Sequence, residues 1–578
     1  MKIFSNLNKQ SASESSFGRR DVRRQNIMQL LTGLAIIIAL NAIGSVKFAR
    51  FDLTSEKRYT LTQGTRSMLR QLDDIVYFRV YLEGNFPAGF KRLRNQTREM
   101  LDEFRAYSDR VQYEFINPLQ APERDDLLDM LVQKGLQPTQ LQVRADDATS
   151  QQMIFPGALV SYRGQEVPLQ LLQDQIGKPA EDVLNNSAQA LEYNMASVIR
   201  QLTVTQKERV GFVEGHGEYE NRYIADIGAS LSDFYEVDRV HIDNNLEEIL
   251  AYKTLIVAKP EQPFSEEEKF IIDQFVMQGG SMLWLIDPVF ASMDSLLPPD
   301  FTSLGMPQQL NLDDMLFRYG VRLNANLLMD LRAAPIPVTT GMIGDRPQIS
   351  LLPWYFFPLL EAAGDHKIVK NLNLLRSEFV SSIDTVTAAG VEKTVLLRTS
   401  PYTRVVATPA EIALRILQQQ PDERLYTAGP QNTGVLLEGS FESVFRNRLA
   451  PNVTLPDGYQ RRDQSLHTAM IVVADGDLVR NQFNQYGQPL PLGYDRFSGE
   501  TFANRDFIMN AVNYLADDSG ILEARAKDVR LRMLDRTRIN RSRTAIQFIN
   551  VLLPLLLVVI FGTLRFIWRK RRYSANPA

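Results

Sequence analysis

Two apolar runs near the ends of the chain constrain it most: IMQLLTGLAIIIALNAIGSV at residues 27–46 and FINVLLPLLLVVIFGTL at 548–564, the second extended by Phe566, Ile567 and Trp568. A helix rises about 1.5 Å per residue, so about 20 apolar residues cross a hydrocarbon core of about 30 Å. Residues 27–46 and 548–567 are therefore expected to be transmembrane helices, the second with Pro554 inside it. Lysine and arginine follow the first run in place of a small-residue cleavage site, which argues against a removed signal peptide. Two crossings put both termini on one side. Lys2, Lys9, Arg19, Arg20, Arg23 and Arg24 before the first run, and Arg569, Lys570, Arg571 and Arg572 after the second, point to cytoplasmic termini. Arg536, Arg538, Arg541 and Arg543 weigh less, because long translocated domains are insensitive to the charge rule. The body between the runs is expected to be exported, outside the cytoplasm.

That body is long enough for more than one core, since domains usually span about 100 to 200 residues and the chain has 578. Its net charge of -4 lacks the basic field that nucleic-acid phosphates require, so nucleic acid is not expected as a partner. The chain has no cysteine, which removes disulfides, thiolate nucleophiles and thiolate metal sites together.

The pattern of the body is α/β. After a helix capped near Thr60 and Thr62, IVYFRVYL at 75–82 reads as a buried strand. Leu93, Met100, Leu101 and Phe104 have helical spacing, and Val111, Tyr113 and Phe115 alternate as a strand. With strands near 153–169 and a helix over 181–202, this makes a first exported α/β domain at 47–205. A second, at 206–520, opens with the strand and glycine turn RVGFVEGHGEYE and continues with TLIVA at 254–258. Next comes a helix started by the capping box of Ser265 and Glu268 and ended at Gly279 and Gly280, then the strand SMLWLID at 281–287. Alternation of this kind predicts a doubly wound parallel sheet, joined later by GVLLEG, AMIVVADGD and the helix NRDFIMNAVNYL. Proline-interrupted residues 331–430 read as an insertion. Residues 521–547 read as a basic stalk, with 1–26 and 568–578 as cytoplasmic ends.

The candidate chemistry is sparse. Glu214, His216 and Glu218 set an imidazole between two carboxylates, which suits a general base or a metal ligand; the same residues also suit a structural turn whose charges cap the following helix. The four histidines, His216, His241, His366 and His467, have no metal-ligand spacing, and no bound metal or cofactor is expected. Asp475 and Asp477 around Gly476 suit a cation or, more simply, a turn. Asp287 ends a buried strand and joins the candidate contacts. Trp354, at the head of WYFF between two prolines, is a candidate partner contact or a core residue. Gly177-Lys178 lacks the preceding glycine of a phosphate loop, so ATP hydrolysis is expected from a partner.

In order along the chain, FDLTSEKRYTLT, GFVEGHGE, GGSMLWLIDP, LNLDDMLFRYGVRLNANLLMD, LLEGSFESVF, ADGDLVRNQF and NRDFIMNAVNYL resemble the auxiliary-component family of ABC transporters typified by the gliding-motility protein GldG. Tyr514 stands where that pattern commonly has tryptophan. The resemblance implies a membrane-anchored, non-catalytic subunit working beside a separate ATPase and a multi-spanning permease, in contact with the lipid bilayer and with another envelope protein as a further candidate partner. The second domain also resembles the flavodoxin and glutamine-amidotransferase group, whose nucleophilic cysteine is absent here. Two other functions fit the residues: a membrane-anchored hydrolase using His216, and a structural envelope scaffold.

Overall fold

A computed structural model of the chain describes residues 19–46, 60–120, 124–145, 148–173, 179–243, 245–298, 300–343, 346–517, 519–526 and 536–573. Residues 51–59 of the FDLTSEKRYTLT motif, Lys178, the basic ends Lys2 and Lys9, and 527–535 of the expected stalk lie outside them. The chain forms two compact units, Met1–Thr60 and Leu61–Ala578.

In the first unit, helix α1 (Arg19–Val46) carries the apolar stretch Ile27–Ala39, which is shorter than a bilayer crossing. The expectation of paired spans is thus met in length and composition by one helix among the described residues, which belongs to the second unit and is described last.

The second unit begins with helix α2 (Gln63–Arg70), capped by the Thr62 side chain, which accepts from the Thr65 amide. Strands β1 (Val76–Val80), β2 (Val111–Phe115), β3 (Gly157–Tyr162) and β4 (Gln165–Gln170) form a sheet in the order β2-β1-β3-β4. Only the β1–β2 pair is parallel, and helix α3 (Ala88–Tyr107) makes its crossover. Helix α4 (Leu191–Thr203) packs on this core through Leu191, Met195, Val198, Ile199 and Leu202. On its other flank Tyr193 donates to Asn510 Oδ1 at 3.2 Å, and Arg200 reaches Asp517 at 3.2 Å, fastening this lobe to the larger one.

The larger lobe is built on a ten-stranded sheet. Strands β5 (Arg209–Glu214), β6 (Glu236–His241), β7 (Thr254–Ala258), β8 (Ser281–Leu285), β9 (Ala333–Ile343), β10 (Arg346–Ala362), β11 (Val391–Arg398), β12 (Asn432–Gly439) and β13 (Thr468–Val473) run in the order β9-β10-β11-β12-β13-β8-β7-β5-β6, and short Leu375–Arg376 pairs beside β10. From β6 to β13 every pairing is parallel, and every pairing from β13 to β9 is antiparallel. The sheet is therefore mixed, which corrects the expectation of a parallel one. The reason is in the connections. Parallel neighbours need a crossover, as α5 (Glu266–Met277) provides between β7 and β8, whereas no α-helix intervenes between β12 and β13. The segment read as an insertion supplies β9, β10 and β11.

Alternation across the parallel strands sends Phe212, Ile256, Leu283 and Ile471 to one face and Val213, Leu255, Trp284 and Val472 to the other. Helix α6 (Asn504–Ala516) covers the first face with Phe507, Ile508, Ala511 and Val512, and α5 covers the second with Phe270, Ile271 and Phe275. The capping box of Ser265 and Glu268 starts α5, and Gly279, at φ +99°, follows its end in the left-handed region.

Trp354, Tyr355, Phe356 and Phe357 are buried in a further core with Met329, Phe379 and Tyr426. Four successive buried residues on a strand mean that both faces are covered, so the partner-contact reading of Trp354 is overturned. The unit ends in α7 (Arg536–Tyr573), in which Ser542–Arg571 is long and apolar enough to cross a membrane.

Candidate functional site

The five parallel strands stand in chain order 2-1-3-4-5, counting β5, β6, β7, β8 and β13, so the order reverses between β5 and β7. In open α/β sheets the crevice at such a reversal, beyond the carboxyl ends of the strands, is where ligands bind. Each strand there runs straight into charge: Glu214 closes β5, Lys259 follows β7, Asp287 follows β8 by one further residue, and Asp475 follows β13 likewise. The topology thus gathers candidates scattered over some 260 residues onto one sheet edge. They form two clusters there.

In the first, His216 lies in the turn after β5, held by Gly215 at φ +126° and Gly217 at φ +79°. Its Nδ1 is 3.2 Å from Glu218 Oε1, its Nε2 is 3.2 Å from Glu268 Oε1, and its ring stacks on Phe264 at 3.7 Å. Its backbone N–H donates to Glu218 Oε2 at 2.7 Å, while its carbonyl accepts from the amides of Glu261 and Gln262. Burial works against a charge on the imidazole, but hydrogen bonds to Glu218 and Glu268 outweigh it and raise its pKa above the ordinary value. In its protonated form the ring donates from both nitrogens and has no lone pair with which to take a further proton. The ring links the β5 turn to the first turn of α5. Glu214 does not join this cluster: its carboxylate accepts from Arg239 Nε at 2.8 Å and pairs with His241 Nε2 at 2.8 Å.

In the second cluster, carboxylate oxygens of Asp287, Asp475 and Asp477 lie within 4.8 Å of one another, the one such group among the described residues. The ammonium of Lys259 sits 3.1 Å from Asp287 and 2.5 Å from Asp477, and Tyr219 donates to Asp477. Backbone amides complete the shell: Gly476 donates to Asp287, Asp477 to Asp475 at 2.8 Å, and Glu378 to Asp475 at 3.0 Å. The turn must be glycine, because a Cβ at Gly476 would fall 2.6 Å from Lys259 Cβ. Burial pushes the Asp287 carboxyl up to about 6, and burial with the two neighbouring carboxylates pushes Asp475 well above its usual range. For Asp477, Lys259 and Arg480 overcome the burial penalty and hold the carboxyl below its usual value. The chain's own ammonium thus meets the charge that a cation would otherwise meet.

Open space lies beside these clusters. A groove of about 900 Å3, the size of a small-molecule site, has Ile286, Leu312 and Phe317 among its apolar residues and Arg318, Arg322 and Arg448 around them. Each arginine is paired, with Glu442, Asp384 and Asp314 respectively.

A family model described as an ABC-type uncharacterized transport system matches residues 207–511, a span that holds the whole ten-stranded sheet and both clusters. The chain belongs to this family. It is an auxiliary component of an ABC-type transport system, associated with transporter components. A second model, a domain of unknown function, matches residues 55–161. An uncharacterized protein of Borreliella burgdorferi is 18% identical over 561 residues, covering 95% of this chain and 99% of that one. A solved structure titled mmIFT52 N-terminal domain overlaps 54% of this chain and 98% of its own at 11% identity, with a TM-score of 0.30, too low to bear on the fold.

Four residues of this auxiliary component's site escaped the sequence reading: Lys259, Tyr219, Glu268 and Arg480. Lys259 had a signal, since a lone charge directly after the uncharged TLIVA falls on the same edge as Asp287 and Asp475. Glu268 had already been assigned to the capping box and does two jobs, accepting from the Ser265 amide at 2.7 Å through the oxygen that His216 does not use.

Proposed function

We propose that the chain is a non-catalytic, membrane-anchored subunit of the GldG type, which recognises a substrate or envelope protein and couples it to an ABC ATPase and a multi-spanning permease. The observation that supports this best is the closure of the sheet edge: both nitrogens of His216 are engaged, and Lys259 is held by two carboxylates. An edge occupied by its own residues is a rigid platform, while the groove of about 900 Å3 beside it leaves room for a ligand. The strand order 2-1-3-4-5 supports a flavodoxin-like reading of the parallel half. The absence of cysteine and of a phosphate loop agrees with chemistry carried by partners.

On this reading, residues 27–46 and α7 both span the bilayer, the termini are cytoplasmic and the lobes are periplasmic. Purification of the full chain in mild detergent is expected to bring down an ATPase and a permease in fixed ratio, and His216→Asn is expected to leave both the complex and transport intact. A chain that emerges alone under conditions that preserve other ABC complexes, or transport abolished by His216→Asn with the fold retained, overturns the reading. Reporters fused after residues 60 and 578 test the topology, which an active cytoplasmic reporter after residue 60 would invert.

A further inference from the structure

The chain enters the two lobes at Leu61 and leaves them at Ala526, and the two stretches meet. Gly64 and Met68, one turn apart on α2, face the segment 519–526. A Cβ at Gly64 would fall 2.6 Å from the Ser519 carbonyl oxygen, and Met68 packs against the cluster that holds Ile521 and Leu522. That segment also grips both lobes. Ile521, Leu522 and Ala524 are buried in one apolar cluster with Tyr193 and Ala196, which α4 of the smaller lobe contributes. Arg525 crosses to the larger lobe: its guanidinium lies 5.1 Å from the centre of the Tyr193 ring, while Nη1 donates to Asn510 Oδ1 and Nη2 to the Lys370 carbonyl, both at 3.0 Å. Ser519 donates to both carboxylate oxygens of Asp517, the residue that receives Arg200 from α4.

The direct contacts between α4 and the larger lobe are polar. Tyr193 with Asn510, and Arg200 with Asn513, Tyr235 and Asp517, exchange water for protein partners at small net gain. Two of those partners, Asn510 and Asp517, are the groups that Arg525 and Ser519 also hold. Burial of apolar surface is the stronger adhesive, and three of the five buried residues in the junction cluster belong to 519–526. The other side of the segment is open. A cavity of about 350 Å3 has Gly520, Leu522 and Glu523 on its wall together with Lys253, Ser281 and Thr468, which stand at the amino ends of β7, β8 and β13. The segment therefore has a seat on one side and room on the other, and the chain continues from it to α7, long and apolar enough to cross a membrane.

We propose that residues 519–526 are a strap through which α7 sets the placement of the smaller lobe on the larger. Seated, the strap holds the lobes as one body; drawn out with α7, it frees α4. The proposal rests on the coupling role given above and names the part of the chain that carries it.

The chain has no cysteine, so introduced cysteines alone take spin labels. Lys91→Cys on α3 and Glu247→Cys in the larger lobe, both exposed, report the distance between lobes, and Glu247→Cys with Gln420→Cys reports the larger lobe by itself. In the full chain in nanodiscs, Gly64→Ala sets a methyl against the Ser519 carbonyl and Arg525→Met removes the guanidinium. Each is expected to add a second, longer interlobe distance to the single one of the parent, with the other pair unchanged. Gly228→Ala, whose Cβ meets nothing within 4 Å, is expected to have no effect. In the complex copurified with ATPase and permease, ATP with vanadate is expected to bring the same longer distance to the parent. Interlobe distances that stay at the parent value in both variants overturn the strap, and so does an ATP-hydrolysing complex whose interlobe distance ignores the nucleotide. A variant that disturbs the second label pair has unfolded, and the nucleotide experiment then decides. Failure to recover any complex overturns the coupling role, while the variants of the chain alone still decide whether the strap holds the lobes.

Discussion

The carboxyl edge of the parallel strands and the outward face of the β9–β10 hairpin differ in almost every physical respect. The edge collects Glu214, His216, Glu218, Lys259, Asp287, Asp475 and Asp477, and each has hydrogen-bonded or ionic partners within the chain. The hairpin face has no charge and leaves Ile349 and Leu351 open to solvent. A buried charge must be matched where it sits, because an unmatched one costs several kcal/mol, whereas a modest exposed apolar face is tolerated. Residues that look like chemistry in the sequence therefore hold the sheet edge together, and the segment with no motif leaves apolar side chains in water.

The largest break in this comparison is expected from Lys259→Met, which keeps side-chain length but leaves Asp287 and Asp477 without their ammonium. Loss of one partner of a buried ion pair costs about 3 to 5 kcal/mol, and chemical denaturation should read a loss of that order. Combining it with Asp477→Asn should recover a large part, since the two residues are directly bonded and their effects cannot add. If Lys259→Met is as stable as the parent, the cluster does not hold the edge and the contrast with the hairpin fails.

A smaller effect, near 1 kcal/mol, is expected at His216, and its pH dependence identifies it. The folded state raises the imidazole pKa above that of the unfolded chain, so its contribution is complete below about pH 6.5 and fades as pH rises through the folded value. The stability difference between parent and His216→Gln should accordingly be largest near pH 6 and shrink toward pH 9. Asp287, pushed up to about 6, titrates in both proteins and subtracts out. A difference that is flat across this range, or grows with pH, would show that the imidazole is not held as a doubly bonded cation.

How much of this could be read from the sequence follows from range. Local signals carried well: the Ser265 and Glu268 capping box, the cap at Thr62 and the wholly buried strands β7 and β8 are fixed by residues within a few positions of one another. Strand direction was not local. GVLLEG has the same buried pattern whether its neighbour runs with it or against it, and only the helix-free connection to β13 decides. Trp354 could be read as a contact or as core for a related reason: composition cannot say which faces of β10 are covered, and over residues 354–357 both are. Within the site, Asp475 and Asp477 announced themselves as a pair, but Lys259 became legible only when β7 lay beside β8 and brought it to Asp287.

The smallest stability effect is expected on the outward face of the hairpin. Ile349→Ser and Leu351→Ser remove apolar atoms already in contact with water, on the face turned away from Ile336 and Trp354, so neither opens a cavity nor strands a buried polar group. Each should change the unfolding free energy by no more than about 0.5 kcal/mol, as surface substitutions away from buried networks do. Trp354→Ala, two strand positions beyond Leu352 on the covered face, supplies the scale, because emptying a buried indole costs about 3 to 5 kcal/mol. Denaturant midpoints of the three variants, with slopes unchanged, separate the faces of one strand. Should Ile349→Ser cost as much as Trp354→Ala, the outward face is already packed against its own chain, and the contrast with the sheet edge fails.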